Sequence, residues 1–463
     1  MTNRTLIVGG MVATGDGLVR ADVLIEGETI AGLVHPGTEI ADAVTVDATG
    51  QLVLPAAIDV HTHFEEPDPE LLEGFTTGGW GAAAGGVATV VEMPQAHPTT
   101  TSAELLREKI AIVETTAVVD MALFAGAVGE PLQDTRELVR MADAGAVAFK
   151  SFMASSSPFF PAVDHAQLLT AMRTVAALGM PYALHAEDQS LLAAGLAGTQ
   201  GAGRTDAMAH ADSRPPVVET VAVASALALA EQTGCRLHVC HVASAAALQL
   251  IREAKARGVH VTAETCPQYL LLNTDDLVRL RGFARCAPAI RRQSEVDLIW
   301  EGVIDGTIDL VASDHSPYRI ERKQSGDDDI FNAPLGLPGV ETLVPACFDA
   351  MVHQRGISLS RFVELTATNP AKVFGLHPRK GAIRVGADAD IMVFDASRCW
   401  TIRGADAHHR QKWTPYEGRP VTGRVTRTIR RGQTIFDGGA HDVGRITAEA
   451  GTGRFLPRGY GRP

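Results

Sequence analysis

GVATVVEMP (Gly86–Pro94) followed by SAELLREKIAIVE (Ser102–Glu114) sets an apolar, β-branched strand ahead of an Ala/Leu-rich helical segment. Such strand–helix units recur from Pro55 onward at intervals of about 30 to 50 residues, and repeated βα units imply a parallel barrel with a packed interior. Residues 1 to 54 read differently. Short alternating bursts (TLIVGGMVA, ADVLIEGETIAGLV, AVTVDATGQLVLP) are broken by Gly and Asp, the pattern of short antiparallel strands. Strand-like stretches return after Arg379 in GADADIMVFD and GRVTRTIRRGQTIFDGG. The expected fold is α/β: a TIM-like (β/α)8 barrel over residues 55–379, beside a small β-sandwich built jointly from residues 1–54 and 380–463. The closing GTGRFLPRGYGRP (451–463) has no periodicity and is expected to be a mobile or surface-packed tail.

Of the 463 residues, 46% are hydrophobic and 21% charged, which suits a soluble chain long enough for one large barrel and something smaller. The 41 basic and 54 acidic residues leave a formal charge of −13 with no Lys/Arg-rich stripe, which argues against nucleic acid and membrane as partners. MTNRTLIVGG reaches a glycine pair too early for a secretory apolar region. Val217–Ala230 is interrupted by Glu219 and Thr220 and falls short of the roughly 20 residues a bilayer requires; it reads as a buried barrel helix. The 6 cysteines show no C-x-x-C pair and read as reduced thiols of a cytoplasmic protein, Cys240 beside His241 included.

Within the barrel region, His61 and His63 (AIDVHTHF), Lys150 (VAFKSFM), His185 (YALHAED), His241 (RLHVCHVAS) and Asp314 (LVASDHSP) lie at the ends of short apolar runs. One such histidine alone reads as a structural residue. The whole set at the C-terminal ends of parallel strands can converge on one point, and reads as a binuclear metal hydrolase. Residues i and i+2 of a strand share a face, so His61 and His63 present two imidazoles to one cation while Thr62 faces away. By the same alternation the face of Leu237 and Val239 carries His241, leaving His238 a structural role. Lys150 alone would read as the partner of a carboxylate. In this company it reads as an amine that takes up carbon dioxide, giving a carbamate with an oxygen for each of two metal ions. Neutral imidazole at His185 and His241 suits zinc or a related divalent ion. Asp314 is a carboxylate able to hold metal and to take a proton from water. His315 beside it reads as a partner of the ligands or as a turn histidine.

This set, in this order and spacing, resembles the cyclic amidohydrolases of the amidohydrolase superfamily: dihydroorotases, hydantoinases or dihydropyrimidinases, and allantoinases, the last most of all. The similarity covers nearly the whole chain, through EGFTTGGWGAAAGGVATVVEMP (73–94), AFKSFMASS (148–156), GCRLHVCHVAS (234–244), AETCPQYLLL (263–272), RCAPAIR (285–291), GTIDLVASDHSPY (306–318), ISLSRFVELTATNPAKVFGL (357–376) and KWTPYEGRPVTGRVTRTIRRGQTIFDG (412–438). The resemblance implies a hydrolase that opens a C–N bond of a small cyclic amide, allantoin to allantoate. It further implies His61, His63 and Asp314 on one divalent ion, His185 and His241 on the other, carboxylated Lys150 bridging both, and a homotetramer.

The substrate positions depart from each sister family. Dihydroorotases carry an arginine two residues after the second histidine and an Asn further on, where this chain has Glu65 and Ala287. Hydantoinases and dihydropyrimidinases place a tyrosine five residues after the lysine, where this chain has Ser155. Asp68, Ala287, Ala289 and GLPGVET (336–342) depart from the allantoinases. Glu65, Ser155, Ala287, Leu335 and Gly336 are the candidate substrate-binding residues, offering acceptors to a ring rich in N–H groups and no partner to an anion. The alternative is a hydantoinase-type amidase acting on a different ring. Dihydroorotate is disfavoured by repulsion from Glu65, and a non-catalytic scaffold by the filled ligand positions.

Overall fold

Val87–Glu92 is buried along its whole length, as a parallel strand covered on both faces must be. Ser102 caps the helix that follows, Ala103–Thr116, its hydroxyl accepting from the Leu105 amide at 3.1 Å. The computed structural model describes residues 4–67, 72–155, 157–439 and 443–461, so Asp68 lies outside the described residues. In it the strand–helix unit is repeated until eight parallel strands stand in sequence order. They are β1 (Ala57–Thr62), β2 (Val87–Glu92), β3 (Asp120–Gly126), β4 (Ala148–Phe152), β5 (Pro181–His185), β6 (Arg236–Val239), β7 (Val261–Thr265) and β8 (Leu310–Val311). The ring closes just beyond β8: His315 bridges in parallel to Thr62, and its carbonyl accepts from the His63 amide at 2.8 Å.

Strand alternation sorts the side chains into two layers. Ile58, Val60, Phe124, Ala148, Ala183 and Cys240 fill the barrel lumen, which Phe374 and Leu456 plug from below. Val90, Leu123, Phe149, Leu184, Leu237 and Val239 belong to the larger core shared with the surrounding helices. Pro216–Thr233 is one of these helices. It buries Val218, Ala222, Ala226 and Ala230 while Val217 and Val221 stay exposed. Among the described residues no helix is long and apolar enough to cross a membrane.

Both chain ends form the second body, as the alternating patterns at either end require. A seven-stranded sheet orders Arg445–Ile446, Gln433–Asp437, Pro420–Arg430, Ile391–Thr401, Leu52–Pro55, Met11–Thr14 and Gly17–Arg20. A four-stranded sheet orders Thr29–Val34, Asp22–Glu26, Arg4–Val8 and Ala43–Asp47. Val12, Ile25, Val53, Ile391 and Ile429 are among the side chains of the core they share.

The tail is packed under the barrel. The Met121 amide donates to the Arg454 carbonyl and the Leu456 amide to the Met121 carbonyl, both at 2.8 Å, so the tail runs along the lower end of β3. Beside it Lys380 Nζ is buried against Asp120 and Asp390, 2.6 Å from each, and Tyr460 donates to Asp388 at 2.7 Å. Burial pushes the Lys380 pKa down, but these carboxylates outweigh it and hold the ammonium charged.

Candidate metal centre

His61, His63, His185, His241 and Asp314 line a cavity of about 660 Å³ at the mouth of the barrel. Lys150 lies beneath it, fully buried on β4. Nε2 of His61 and Nε2 of His63 stand 3.3 and 3.2 Å from the same Asp314 oxygen. One ligand atom from each of the three lies within 4.8 Å of the others, a group able to hold a metal ion. Across the floor His185 Nδ1 faces His241 Nε2 at 2.9 Å, and the His61 and His241 rings are 5.4 Å apart. Lys150 Nζ donates to Cys240 Sγ at 3.0 Å.

Local backbone geometry decides how these side chains arrive. His241, Asp314 and Glu65 have φ of 38°, 51° and 54°, a left-handed conformation that non-glycine residues adopt at a cost and that clusters at functional sites. It corrects one expectation. Leu237 and Val239 face the helices, whereas His238 and Cys240 point into the lumen. His241 therefore reaches the cavity because the chain turns out of the strand after Val239, and not because it shares a face with Leu237. His238 lies deeper, its Nε2 donating to Glu264 at 3.1 Å.

Several carboxylates that sequence reasoning did not single out hold the site. Glu264 at the end of β7 accepts from His61 Nδ1 as well as from His238. Glu187 accepts from His185 Nε2 at 2.9 Å and is paired in turn with Arg214. Each bond fixes a tautomer and leaves the other ring nitrogen, His61 Nε2 or His185 Nδ1, as a lone-pair donor toward the centre. Glu92 ends β2 and accepts from the Phe64 and Glu65 amides at 3.1 and 2.9 Å, holding the turn after His63. A carboxylate at the end of an apolar strand was the available signal for Glu92 and Glu264. His315 serves barrel closure: its Nδ1 accepts from the Gly339 amide at 3.0 Å.

Electrostatics favour metal-ready ligands. Burial pushes His61, His185 and His241 down in pKa, and the Lys150 charge pushes each further, so all three rings are neutral. Burial also lowers His63, but the hydrogen bond and charge of Asp314 outweigh it and raise its pKa. Burial raises Asp314 and Glu264, and the histidines around them prevail, holding both well below the usual carboxylate range. Neutral imidazoles converging with ionised carboxylates in a buried pocket fit a divalent cation.

Of the candidate substrate residues, Glu65, Ala287, Leu335 and Gly336 line the cavity. Ser155 does not: it is exposed, its amide donating to Gln189 at 2.7 Å, and Ser157 and Phe159 take the wall instead. Gly336 has φ 152°, and a Cβ there would stand 2.5 Å from the Ser316 carbonyl oxygen, so only glycine fits. A cation also reaches the wall. Arg285 lines it, but its guanidinium donates to the carbonyls of Phe331 and Ala333.

The sequence matches the amidohydrolase family over residues 52–435, and the chain belongs to that family. It is 41% identical over 436 residues to an allantoinase of Rubrobacter xylanophilus, covering 94% of each chain. It is 34% identical to an L-hydantoinase of Paenarthrobacter aurescens, covering 96% of each. The solved structure of L-hydantoinase (dihydropyrimidinase) from Arthrobacter aurescens superimposes with a TM-score of 0.94 at 33% identity, covering 99% of this chain and 100% of that one.

Proposed function

We propose that this protein is a metal-dependent cyclic amidohydrolase that opens allantoin to allantoate. The observation that carries the reading is the shared Asp314 oxygen facing His61 and His63 on the floor of the cavity. In this reading His61, His63 and Asp314 hold one divalent ion, zinc by preference, and His185 and His241 a second. Lys150, carboxylated, would share in holding both. Bound there, the ions supply Lewis-acid activation of water and of the ring carbonyl. Asp314 takes the proton of the attacking water and returns it to the departing ring nitrogen. Glu264 and Glu187 keep the rings of His61 and His185 aimed at the centre. Elemental analysis of the protein after metal reconstitution should find about two divalent ions per chain, as a binuclear site requires. A trace only would overturn the metal assignment.

Allantoin is neutral and carries N–H groups on both its ring and its ureido arm. The cavity meets it with the Glu65 carboxylate, and Arg285 on its wall is turned onto backbone carbonyls. The allantoinase relative supports the same substrate. A specific observation favours the hydantoinase alternative: Phe159, 58% exposed at the cavity wall, has its ring centre 4.2 Å from that of His97, tilted by 34°, and offers an aromatic surface to a ring substituent. A panel of allantoin, hydantoin, dihydrouracil, a 5-aryl hydantoin and dihydroorotate separates the readings. Allantoin should open fastest, hydantoin and dihydrouracil more slowly, and dihydroorotate not at all. A 5-aryl hydantoin outrunning allantoin would move the assignment to the alternative. Dihydroorotate as the best substrate would show that the role given to Glu65 is wrong.

A further inference from the structure

Lys323, in the short helix Ile320–Gln324, is fully buried behind the cavity wall. Among the described residues no carboxylate pairs with it. Its Nζ donates instead to three backbone carbonyls, those of Gly336 at 2.8 Å, Pro334 at 2.9 Å and Arg285 at 3.0 Å. Three carbonyls are as many acceptors as the three donors of an ammonium can meet. Trp413 of the KWTPYEG segment covers the group, its ring centre 5.7 Å from Nζ and its indole N–H donating to the Tyr318 carbonyl at 2.7 Å.

The three carbonyls belong to the two segments that supply one side of the cavity, Arg285–Ala287 and Ala333–Gly336. The Arg285 carbonyl also accepts from the Gly336 amide at 3.1 Å, so one node ties both segments together. The Pro334–Leu335 peptide is trans, and in a trans peptide the C=O and N–H point in opposite directions. With the Pro334 carbonyl turned onto Lys323, the Leu335 amide turns the other way, toward the cavity that Leu335 lines. It makes no hydrogen bond among the described residues.

We propose that Lys323 is a positioning residue for substrate, holding the 334–336 wall from behind so that the Leu335 amide faces the ring. The proposal rests on the reading of the cavity as the site of a cyclic amide hydrolase. Without the Lys323 side-chain donors the Pro334 and Gly336 carbonyls lose their partner, the Arg285 carbonyl keeps only the Gly336 amide, and the wall is free to turn its amide away. Because Lys323 touches none of the proposed metal ligands, its removal acts on substrate binding more than on the chemical step.

The test uses Lys323→Met, of similar length and without donors, and Lys323→Arg, both in the full metal-loaded protein and assayed on the ring the parent opens fastest. Lys323→Met should raise KM roughly tenfold, the scale of one lost hydrogen bond, while kcat and metal content stay near those of the parent. Lys323→Arg should recover part of the KM without reaching the parent value, since its planar fork cannot meet three carbonyls arranged around a point. If Lys323→Met does not accumulate as folded protein, a raised KM in Lys323→Arg decides the matter. An unchanged KM in a folded variant, or lost metal with KM unchanged, overturns the proposal. A parent protein that opens no ring in the panel overturns the reading of the site instead, and is recognised before any substitution is made.

Discussion

Asp314→Asn is expected to fold as the parent does and to lose activity by about 10² to 10⁴, the range for a general acid–base group. The carboxamide fills the same space, and the left-handed backbone at this position tolerates Asn as well as Asp. What it loses is specific. An amide cannot take the proton of the attacking water, nor hand one to the departing nitrogen, and it is a weaker partner for His61 and His63 at 3.3 and 3.2 Å. Metal content measured on the same sample separates the two losses: a full complement with low kcat isolates proton transfer, and a partial complement adds a ligand role. Turnover near that of the parent would remove Asp314 from the mechanism.

Lys150→Ala should lose both metal and activity, and a short-chain carboxylic acid in the buffer should restore part of each. Lys150 is buried among His61, His185 and His241, and as an ammonium its charge pushes all three imidazoles toward neutrality. An ammonium would repel cations held by the same rings. A carbamate reverses that sign while keeping the side chain in place, which is why a small carboxylate entering the space left by Ala is the expected rescue. Two metals bound beside an unmodified lysine would sink the assignment, as would metal retention in Lys150→Ala without added acid.

The barrel and the approximate centre were legible because both rest on local pattern. GVATVVEMP and its following helix state the repeating unit; His61, His63, His185 and Asp314 stand at or just beyond strand ends and Lys150 lies within β4, and parallel pairing brings these strands side by side. The paired β bursts at both ends likewise foretold a joint sandwich. Periodicity says which residues share a face, but not which face meets the lumen; His241 was expected at the cavity for sharing a face with Leu237 and Val239, whereas a turn of the chain after Val239 carries it there. Ser155 was chosen by its distance in sequence from Lys150, and a turn of the chain carries it out of the cavity while Ser157 and Phe159 enter. Glu264 and Glu187 matter through partners far away in the chain. His61 and Glu264 are separated by 203 residues, a distance no window of sequence spans.

The sandwich and tail also constrain how the molecule is made. Leu52–Pro55 pairs on one edge with Met11–Thr14, but the neighbour on its other edge is Ile391–Thr401, and Arg454 reaches back 426 residues to Glu28. On the ribosome the amino-terminal strands therefore wait, with one edge unpaired, until Ile391–Thr401 has been synthesised. The lower opening of the barrel waits with them, since Leu456 is part of its plug. Such long-range closure is slow, and an unpaired edge invites association with other nascent chains. Shortening the chain by its last dozen or so residues removes the final step of assembly, even though it leaves the amino acids around the catalytic mouth untouched.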